Sequence, residues 1–328
     1  MTELKDKLRD YLKEALKFPK EIHLESSSRC NSFCLTCPRD RMQRELGEMN
    51  RDIFIKAVNE TSVYNMNCIL FHLNGEPLFL DIDELVWRIN YARDMNPNAK
   101  QIIMFTNGSL LDEEKTDKLL NSKLDFILIS IDGGNKEDYE KVRRGLDWDV
   151  LLKNVQYLVR RKKELNSKLF IQTAIIPQKV NEKSVTEYSR IFNEMGCDGV
   201  GGSGVNNIGG LIDADNMKLK ETQHDDLGND NLPCYKIFLD LSVMSDGRVC
   251  ICSQDVTGAL IIGDLKTQTL KEIWQGDVMT DIREKFIYGE KSKIPFCGKC
   301  DFMRGWVSFD YWKLSQEDWI EAYANAKN

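Results

Sequence analysis

The sequence predicts an α/β fold in which a parallel sheet is covered by helices and a second, smaller domain follows. Three observations support this class: six short apolar runs typical of strands, amphipathic segments between them, and a Gly-, Asn- and Asp-rich break at residues 201–230 before a new strand pattern. Both an open partial barrel and a doubly wound sheet are compatible with this alternation of strands and helices. In both architectures, the functional site lies at the carboxyl ends of the strands.

The elements follow in chain order. Residues 1–20 form an amphipathic helix, because their leucines recur on one helical face. The predicted strands are 21–25, 68–73, 101–105, 126–131, 169–176 and 198–202. The predicted helices between them are 52–64, 82–95, 112–122, 148–165 and 182–195. After the break we predict two strands joined at Asp246-Gly247, a helix over 270–288 and another over 315–326.

Composition and charge limit the function classes. The chain has 328 residues, of which 42% are hydrophobic, and this excludes a fibrous or disordered protein. A formal net charge of −7 without a long Lys or Arg block argues against a nucleic-acid partner. The chain shows neither a signal-peptide pattern nor a continuous apolar run of ~18 residues. We therefore expect a cytoplasmic protein with no membrane partner, whose ten cysteines are metal ligands, redox groups or buried residues.

Three cysteines directly after the first strand give the strongest chemical signal. Cys30, Cys34 and Cys37 have the spacing C-x3-C-x2-C. A loop with this spacing can turn three thiolates onto one centre, and soft thiolates select an iron–sulfur cluster or zinc. Because no fourth cysteine is nearby, a four-iron cluster would keep one iron open to a small molecule. On the residues alone, both the cluster and a zinc ion stay possible.

Motifs at the ends of the first four strands resemble the radical S-adenosylmethionine (radical SAM) superfamily. CNSFCLTC follows the first strand, NGEP (74–77) the second, FTNG (105–108) the third and SIDG (130–133) the fourth. The resemblance implies a partial (β/α)6 TIM-like barrel, with a [4Fe-4S] cluster on the three cysteines and S-adenosyl-L-methionine (SAM) on the open iron. It also implies an external one-electron reductant, such as flavodoxin or ferredoxin, and formation of a 5′-deoxyadenosyl radical.

The same resemblance assigns roles around SAM. It implies that the strand-two motif binds the methionine amino group and that the strand-four motif lies near the ribose. Thr36 stands where an aromatic residue often packs on the adenine, and Asn74 stands where the motif often begins with Gly. The residues expected to bind the cofactor are Gly75, Glu76, Pro77, Asn107, Ser130, Asp132 and Arg143. For Arg143, a solvated helix end is the alternative.

A second set of four cysteines follows the break, at Cys234, Cys252, Cys297 and Cys300. Four thiolates suffice for a cluster, and a structural zinc site is the alternative on the residues alone. Together with the radical SAM motifs, this set of cysteines resembles a twitch domain, the shorter relative of the SPASM domain. The resemblance implies one auxiliary [4Fe-4S] cluster that is ligated entirely by protein. The predicted organisation is an N-terminal helix (1–20), a partial barrel (21–205), a linker (206–232), a twitch domain (233–305) and a helical tail (306–328).

Further polar residues are weaker candidates. Cys250 lies two residues before Cys252, so on a strand both side chains would share one face. Cys250 is a candidate hydrogen-atom donor, although a buried apolar role is favoured. His23 and His72 lie in predicted strands, where packed histidine is the default. The positional candidates for a general base are Asp240, Asp246, Asp255 and Arg304.

Three functions are compatible with these features. The short twitch domain and the GEM tripeptide at 47–49 look most similar to 2-deoxy-scyllo-inosamine dehydrogenases and related carbohydrate-modifying enzymes. The leading hypothesis is two-electron oxidation of a sugar or aminocyclitol alcohol, with the auxiliary cluster as electron acceptor. The alternative is peptide modification, by thioether formation or epimerisation with Cys250 as donor, which the short segment before the first strand disfavours. A non-catalytic iron–sulfur or zinc scaffold is the third possibility.

Overall fold

One nine-stranded sheet forms the centre of the computed structural model, which describes residues 2–219, 232–302 and 314–327. The strand order is β6-β5-β4-β3-β2-β1-β7-β8-β9. The strands are β1 (Glu21–Leu24), β2 (Cys68–Leu70), β3 (Gln101–Thr106), β4 (Phe126–Ser130), β5 (Phe170–Ile175), β6 (Gly199–Gly202), β7 (Asp240–Val243), β8 (Arg248–Cys250) and β9 (Ile261–Asp264).

The sheet is a partial barrel, as the resemblance implied. Strands β1 to β6 are parallel and lie side by side in chain order. A doubly wound sheet would instead reverse its strand order at a switch point, so that alternative is wrong. The expected fold class is confirmed, with six βα units and a C-terminal extension.

Helices cover one face of the sheet. They are α1 (Thr2–Ala15), α2 (Arg51–Thr61), α3 (Ile82–Met95), α4 (Glu113–Leu120), α5 (Lys136–Val142), α6 (Trp148–Glu164), α7 (Val185–Met195), α8 (Ala214–Met217), α9 (Leu270–Gln275), α10 (Asp277–Ile287) and α11 (Gln316–Lys327). Six of them begin after an Asn or Asp whose side chain accepts a hydrogen bond from the first turn. Such caps fix where each helix starts after its strand. No helix in the described ranges is long and apolar enough to cross a membrane.

Alternation along the strands separates two faces. Ile22, Ile102 and Ile127 are fully buried in the main core that the helices close. The intervening side chains point to the opposite face, which we call the lumen. It is lined by His23, Leu70 and the residues in register with them. The lumen is apolar at β2 and β3, where Leu70 packs with Ile103. At β1 and β7 it is polar.

The C-terminal strands extend the sheet of the barrel. β7 pairs in parallel with β1, and Glu21 lies in register with Asp240. The predicted hairpin is present, because β7 and β8 are antiparallel and Gly247 takes the positive φ of +91° that the turn requires. The single helix expected over 270–288 is instead two helices that meet at Gly276.

The domain boundaries stay a prediction, although the sheet runs across the expected junction between barrel and twitch domain. Of the expected linker, residues 220–231 lie outside the described ranges, as do residues 303–313 near the start of the expected tail. The N-terminal helix packs on the C-terminal part. Trp274 Nε1 in α9 donates to the carbonyl of Ala15 over 2.8 Å, and Lys5 pairs with Asp318 of α11.

Candidate functional site

The first cysteine motif lies in the loop after β1. The amides of Phe33 and Leu35 each donate over 2.9 Å to carbonyls at the end of α5, those of Arg144 and Val142. These bonds hold the loop over the carboxyl ends of the strands. Each of the three thiols of Cys30, Cys34 and Cys37 interacts electrostatically with the other two. The loop therefore gathers the three predicted ligands in one place.

Arg143 connects this loop to the strand-four motif. Its Nη1 donates to Cys34 Sγ over 3.5 Å, and its Nη2 lies 2.6 Å from Asp132 Oδ2. Burial opposes the charge, but Asp132 and Cys34 outweigh it and raise the pKa of Arg143 above its ordinary value. The guanidinium of Arg143 is therefore a charged hydrogen-bond donor to one of the three predicted ligands. The structure thus places Arg143 in the site rather than at a solvated helix end.

Asn107 touches the first cysteine. Its Nδ2 lies 3.9 Å from Cys30 Sγ and donates to Asn31 Oδ1 over 3.0 Å. Burial raises the pKa of the Cys30 thiol, and the nearby Glu76 and Cys34 raise it further. Hydrogen bonds to a ligand thiolate are one means by which a protein tunes a cluster.

The NGEP motif packs against the start of the cysteine loop. Gly75 has a φ of +80°, and a Cβ there would lie 2.3 Å from the carbonyl oxygen of Ser27. The carboxylate of Glu76 accepts hydrogen bonds from Thr106 Oγ1 and from the amide of Asn107, each at 2.7 Å. Pro77 opens the short 3-10 turn that follows. The motif therefore links the loops after β1, β2 and β3. Glu76 forms the hydrogen bonds to the end of β3.

The SIDG motif ends β4 under strain. Asp132 is buried and adopts a φ of +60°, which is uncommon for a residue with a side chain. Its Oδ1 accepts from the amide of Ile176 over 2.7 Å, which holds the loop after β5. Ser130 is the last residue of β4 and is half-buried on the lumen face. These contacts support the expected position of the motif beside the cysteine loop.

The second set of cysteines surrounds one cavity. Cys234, Cys252, Cys297 and Cys300 all line it, among apolar side chains such as Phe286. Burial raises the pKa of Cys234 to about 12 and raises that of Cys252 well above its ordinary value. Thiols in such surroundings become thiolates when a metal centre compensates the burial.

This arrangement fits an iron–sulfur cluster. Within the described ranges no three His, Cys, Asp or Glu side chains converge closely enough to hold a single metal ion. The four thiols line one cavity, and four thiolates are the donor set of a protein-ligated cluster. At the first site, three thiols and the cationic Arg143 also fit an iron–sulfur cluster. In the neighbouring NGEP motif, Asn74 Nδ2 is a buried hydrogen-bond donor that has no partner within the described part of the chain.

Cys250 does not line this cavity, and its Sγ donates to the carbonyl of Cys252 over 3.5 Å. Strand β8 ends at Cys250, so the alternation that would place Cys252 on the same face stops there. Cys250 is fully buried with Leu73 and Met244, whereas Cys252 belongs to the main core. The structure therefore does not bring Cys250 to the ligand set.

A row of polar side chains that was not predicted from the sequence links Arg143 at the first cysteine site to Lys236 at the second through electrostatic interactions and hydrogen bonds. His72 interacts electrostatically with Arg143 and with His23. His23 Nε2 lies 3.2 Å from Asp240 Oδ2, and Lys236 Nζ donates to the same oxygen over 2.7 Å. Lys236 also lines the cavity of the second set. The sequence signal that could have indicated this row is the pair of polar residues at alternate positions of β1, Glu21 and His23, in an otherwise apolar strand.

The other positional candidates for a base lie in structural roles. Asp246 pairs with Arg248 in the hairpin, with 2.8 Å between Oδ2 and Nη2. Asp255 accepts from the amides of Ala259 and Leu260, each at 2.8 Å, and so closes a turn. Arg304 lies outside the described residues.

Comparison with known proteins identifies two domains. The family model for the Radical SAM superfamily matches residues 24–183, and the model for an iron–sulfur cluster-binding domain, SPASM, matches residues 234–301. The first match contains the cysteine loop and the three other motifs. The second contains all four cysteines of the cavity.

Relatives agree with this division. An S-adenosyl-L-methionine-dependent 2-deoxy-scyllo-inosamine dehydrogenase of Niallia circulans is 23% identical over 85% of this chain and 92% of its own length. Several other curated relatives match between 42% and 55% of this chain, and the chain spans about half of their length.

Solved structures show the same fold. BtrN in complex with AdoMet and 2-DOIA has a TM-score of 0.57 at 21% identity, covering 87% of this chain and 94% of its own. Streptococcus suis SuiB bound to the precursor peptide SuiA has a TM-score of 0.67 at 15% identity, covering 91% of this chain and 74% of its own. The chain is a radical SAM enzyme that uses a [4Fe-4S] cluster with SAM and carries a C-terminal domain for auxiliary iron–sulfur clusters.

Proposed function

We propose that this enzyme oxidises an alcohol of a small hydroxylated substrate, a sugar or aminocyclitol, to a carbonyl. The observation that carries the proposal is the cavity of four thiols, because four protein ligands close a four-iron cluster and leave it suited to electron transfer. The near full-length similarity to an aminocyclitol dehydrogenase supports the same reaction class. That this is a single auxiliary cluster remains part of the proposal.

The first cysteine loop would hold one cluster with SAM, and the cavity would hold the other. When bound, these groups supply a radical that removes a hydrogen atom from carbon and a one-electron acceptor. The side chains of the protein position these groups and the substrate. Arg143 and Asn107 contact the thiols of the loop, while Gly75 and Glu76 fix the loop against the ends of β2 and β3. The lumen between the two sites would bind the substrate.

The expected roles of the remaining site residues are part of this proposal. Ser130 and Asp132 would lie beside the ribose, and Pro77 would shape the turn next to the methionine. An external one-electron donor, such as flavodoxin or ferredoxin, would reduce the first cluster.

Deuterium transfer tests the reaction class directly. The anaerobically reconstituted enzyme would be reduced with SAM and with 2-deoxy-scyllo-inosamine or myo-inositol deuterated at every ring carbon. We expect deuterium in 5′-deoxyadenosine and one carbonyl product for each SAM consumed. The Cys30→Ala/Cys34→Ala/Cys37→Ala variant is the matched control, which should yield neither. Wild-type enzyme that cleaves SAM without taking deuterium from any polyol would contradict the proposal.

Peptide modification is the second candidate function. It is favoured by the fold, because the structure with the bound precursor peptide has a TM-score of 0.67. The burial of Cys250 among Leu73 and Met244 does not support a hydrogen-atom donor at that position. Deuterium transfer from a peptide labelled at every Cα, with none from polyols, would establish this function in place of alcohol oxidation.

A further inference from the structure

Four buried polar atoms face the lumen without partners in the described part of the chain. They are His23 Nδ1, His72 Nδ1, Asp240 Oδ1 and Ser242 Oγ. β1 lies between β2 and β7 in the sheet, and His23 is in register with Ser242. Leaving such a buried group unpaired is unfavourable. A group of unpaired donors and acceptors on one side of the lumen therefore indicates a hydroxylated ligand.

The hydrogen bond to Asp240 determines the tautomer of His23. Burial opposes ionisation of Asp240, but Lys236 and His23 hold the pKa of Asp240 below its ordinary value. Because a carboxylate only accepts hydrogen bonds, Nε2 of His23 carries the proton shared over 3.2 Å. In neutral His23, Nδ1 then has a free lone pair. His23 is 7% exposed.

The titratable groups around His23 come from β1, β7, the segment before β7 and the segment after β2. Asp240 and Lys236 form an ion pair on one side. On β1, burial and then Asp240 raise the pKa of Glu21. In the segment after β2, burial lowers the pKa of His72 to about 3, so His72 is neutral. The opposite charges of Asp240 and Lys236 balance, so this part of the lumen suits an uncharged hydroxyl better than an ion.

His23 lies between the two cysteine sites. His23 and Arg143 both act electrostatically on His72, and Arg143 donates to Cys34. On the other side His23 Nε2 lies 3.2 Å from Asp240, which binds Lys236 of the second cavity. A substrate held between the two cysteine sites would lie beside this row.

We infer that His23 Nδ1 binds the substrate hydroxyl and accepts its proton as the carbonyl forms. This inference rests on the proposed alcohol oxidation. The carbon loses one hydrogen atom to the SAM-derived radical, the oxygen loses its proton to Nδ1, and one electron leaves to the auxiliary centre, so the C–O bond becomes C=O. Asp240 is a positioning residue that fixes the tautomer.

Two variants separate binding from proton transfer. His23→Gln keeps an N–H donor within reach of Asp240 but removes the acceptor at Nδ1. His23→Asn keeps a polar group near Nδ1 that cannot take a proton. Ser242→Ala is the comparison variant, since it removes an unpaired hydroxyl from the same part of the lumen: it should weaken substrate binding, but it leaves the proton acceptor at His23 in place. Iron content identifies variants that assemble as the wild type does.

Binding is measured by calorimetry on the SAM-loaded, unreduced enzyme with 2-deoxy-scyllo-inosamine. We expect His23→Gln to weaken binding by about threefold to tenfold, as for one lost hydrogen bond, and His23→Asn to bind nearly as the wild type does. Unchanged affinity in His23→Gln would overturn the binding part of the inference.

Turnover with the deuterated substrate is the second readout. Both His23 variants should still move deuterium into 5′-deoxyadenosine but form at least tenfold less carbonyl per deuterium transferred, whereas Ser242→Ala should keep the wild-type ratio. If the His23 variants keep the wild-type ratio, the inference is wrong and the proposed oxidation stands. If wild-type enzyme transfers no deuterium from the polyol, the proposed oxidation fails and the inference fails with it.

Discussion

At the scale of single residues, long-range contacts decide what each site residue does. Glu76 is expected from its motif to bind the cofactor, yet its carboxylate accepts hydrogen bonds from Thr106 and Asn107. His23 looks like an ordinary strand residue in the sequence, and only the pairing of β1 with β7 brings it to Asp240. Cysteine spacing predicted candidate ligands because those contacts are local. The row of polar groups could not be predicted, since it depends on strands over 200 residues apart.

Gly75 sets the position of the cysteine loop. In Gly75→Ala, the added Cβ would lie 2.3 Å from Ser27 O on a backbone with a φ of +80°. We expect the reconstituted protein to lose about half of its iron, because the first cluster no longer assembles and the second is untouched.

Gly47→Ala is the control, because a Cβ there meets no atom within 4 Å. It should keep the wild-type iron content. A Gly75→Ala protein with full iron would show that the contact with Ser27 is not needed for the loop.

The Arg143–Asp132 ion pair stabilises the same site. Arg143→Gln would leave Asp132, which is 1% exposed, without its cation. Removing one partner of such a pair costs about 3–5 kcal/mol, so the thermal midpoint should fall by roughly 4–7 °C. The exposed neighbour provides the comparison: Arg144→Gln should shift the midpoint by about 1 °C or less. Equal shifts in the two variants would contradict this role.

At the scale of elements, local patterns predicted most boundaries. Alternating apolar residues gave the six barrel strands, and Asp246-Gly247 gave the hairpin of β7 and β8. Two expectations failed for local reasons. The break at Gly276 divides the helix expected over 270–288, and the end of β8 at Cys250 removes the alternation that was expected to reach Cys252.

Docking of α1 on α9 depends on one buried hydrogen bond. Trp274→Phe would remove the indole donor that lies 2.8 Å from the carbonyl of Ala15. We expect a loss of about 1–2 kcal/mol and faster proteolysis within α1. Gln275→Ala is the graded control, because its exposed bond to Lys17 should contribute less. If α1 is cut at the same rate in Trp274→Phe as in the wild type, the bond does not hold the helix.

At the scale of the whole molecule, one sheet carries both cysteine sites. β1 leads into the first cysteine loop, and its neighbour β7 belongs to the segment that begins at Cys234. The parallel pairing of β1 with β7 therefore sets the distance between the two sites. The sequence predicted both cysteine sets but not this pairing, because nothing local in either strand specifies its partner.

The central claim is that two separate iron–sulfur centres occupy the two cysteine sets. Iron and sulfide content after anaerobic reconstitution tests it most directly, in wild type, in Cys30→Ala/Cys34→Ala/Cys37→Ala and in Cys297→Ala/Cys300→Ala. Two four-iron clusters predict about eight irons in wild type and about four in each variant. SAM cleavage should be lost in the first variant alone. About four irons in wild type and none in the first variant would show that the second set holds no cluster, which would contradict the account.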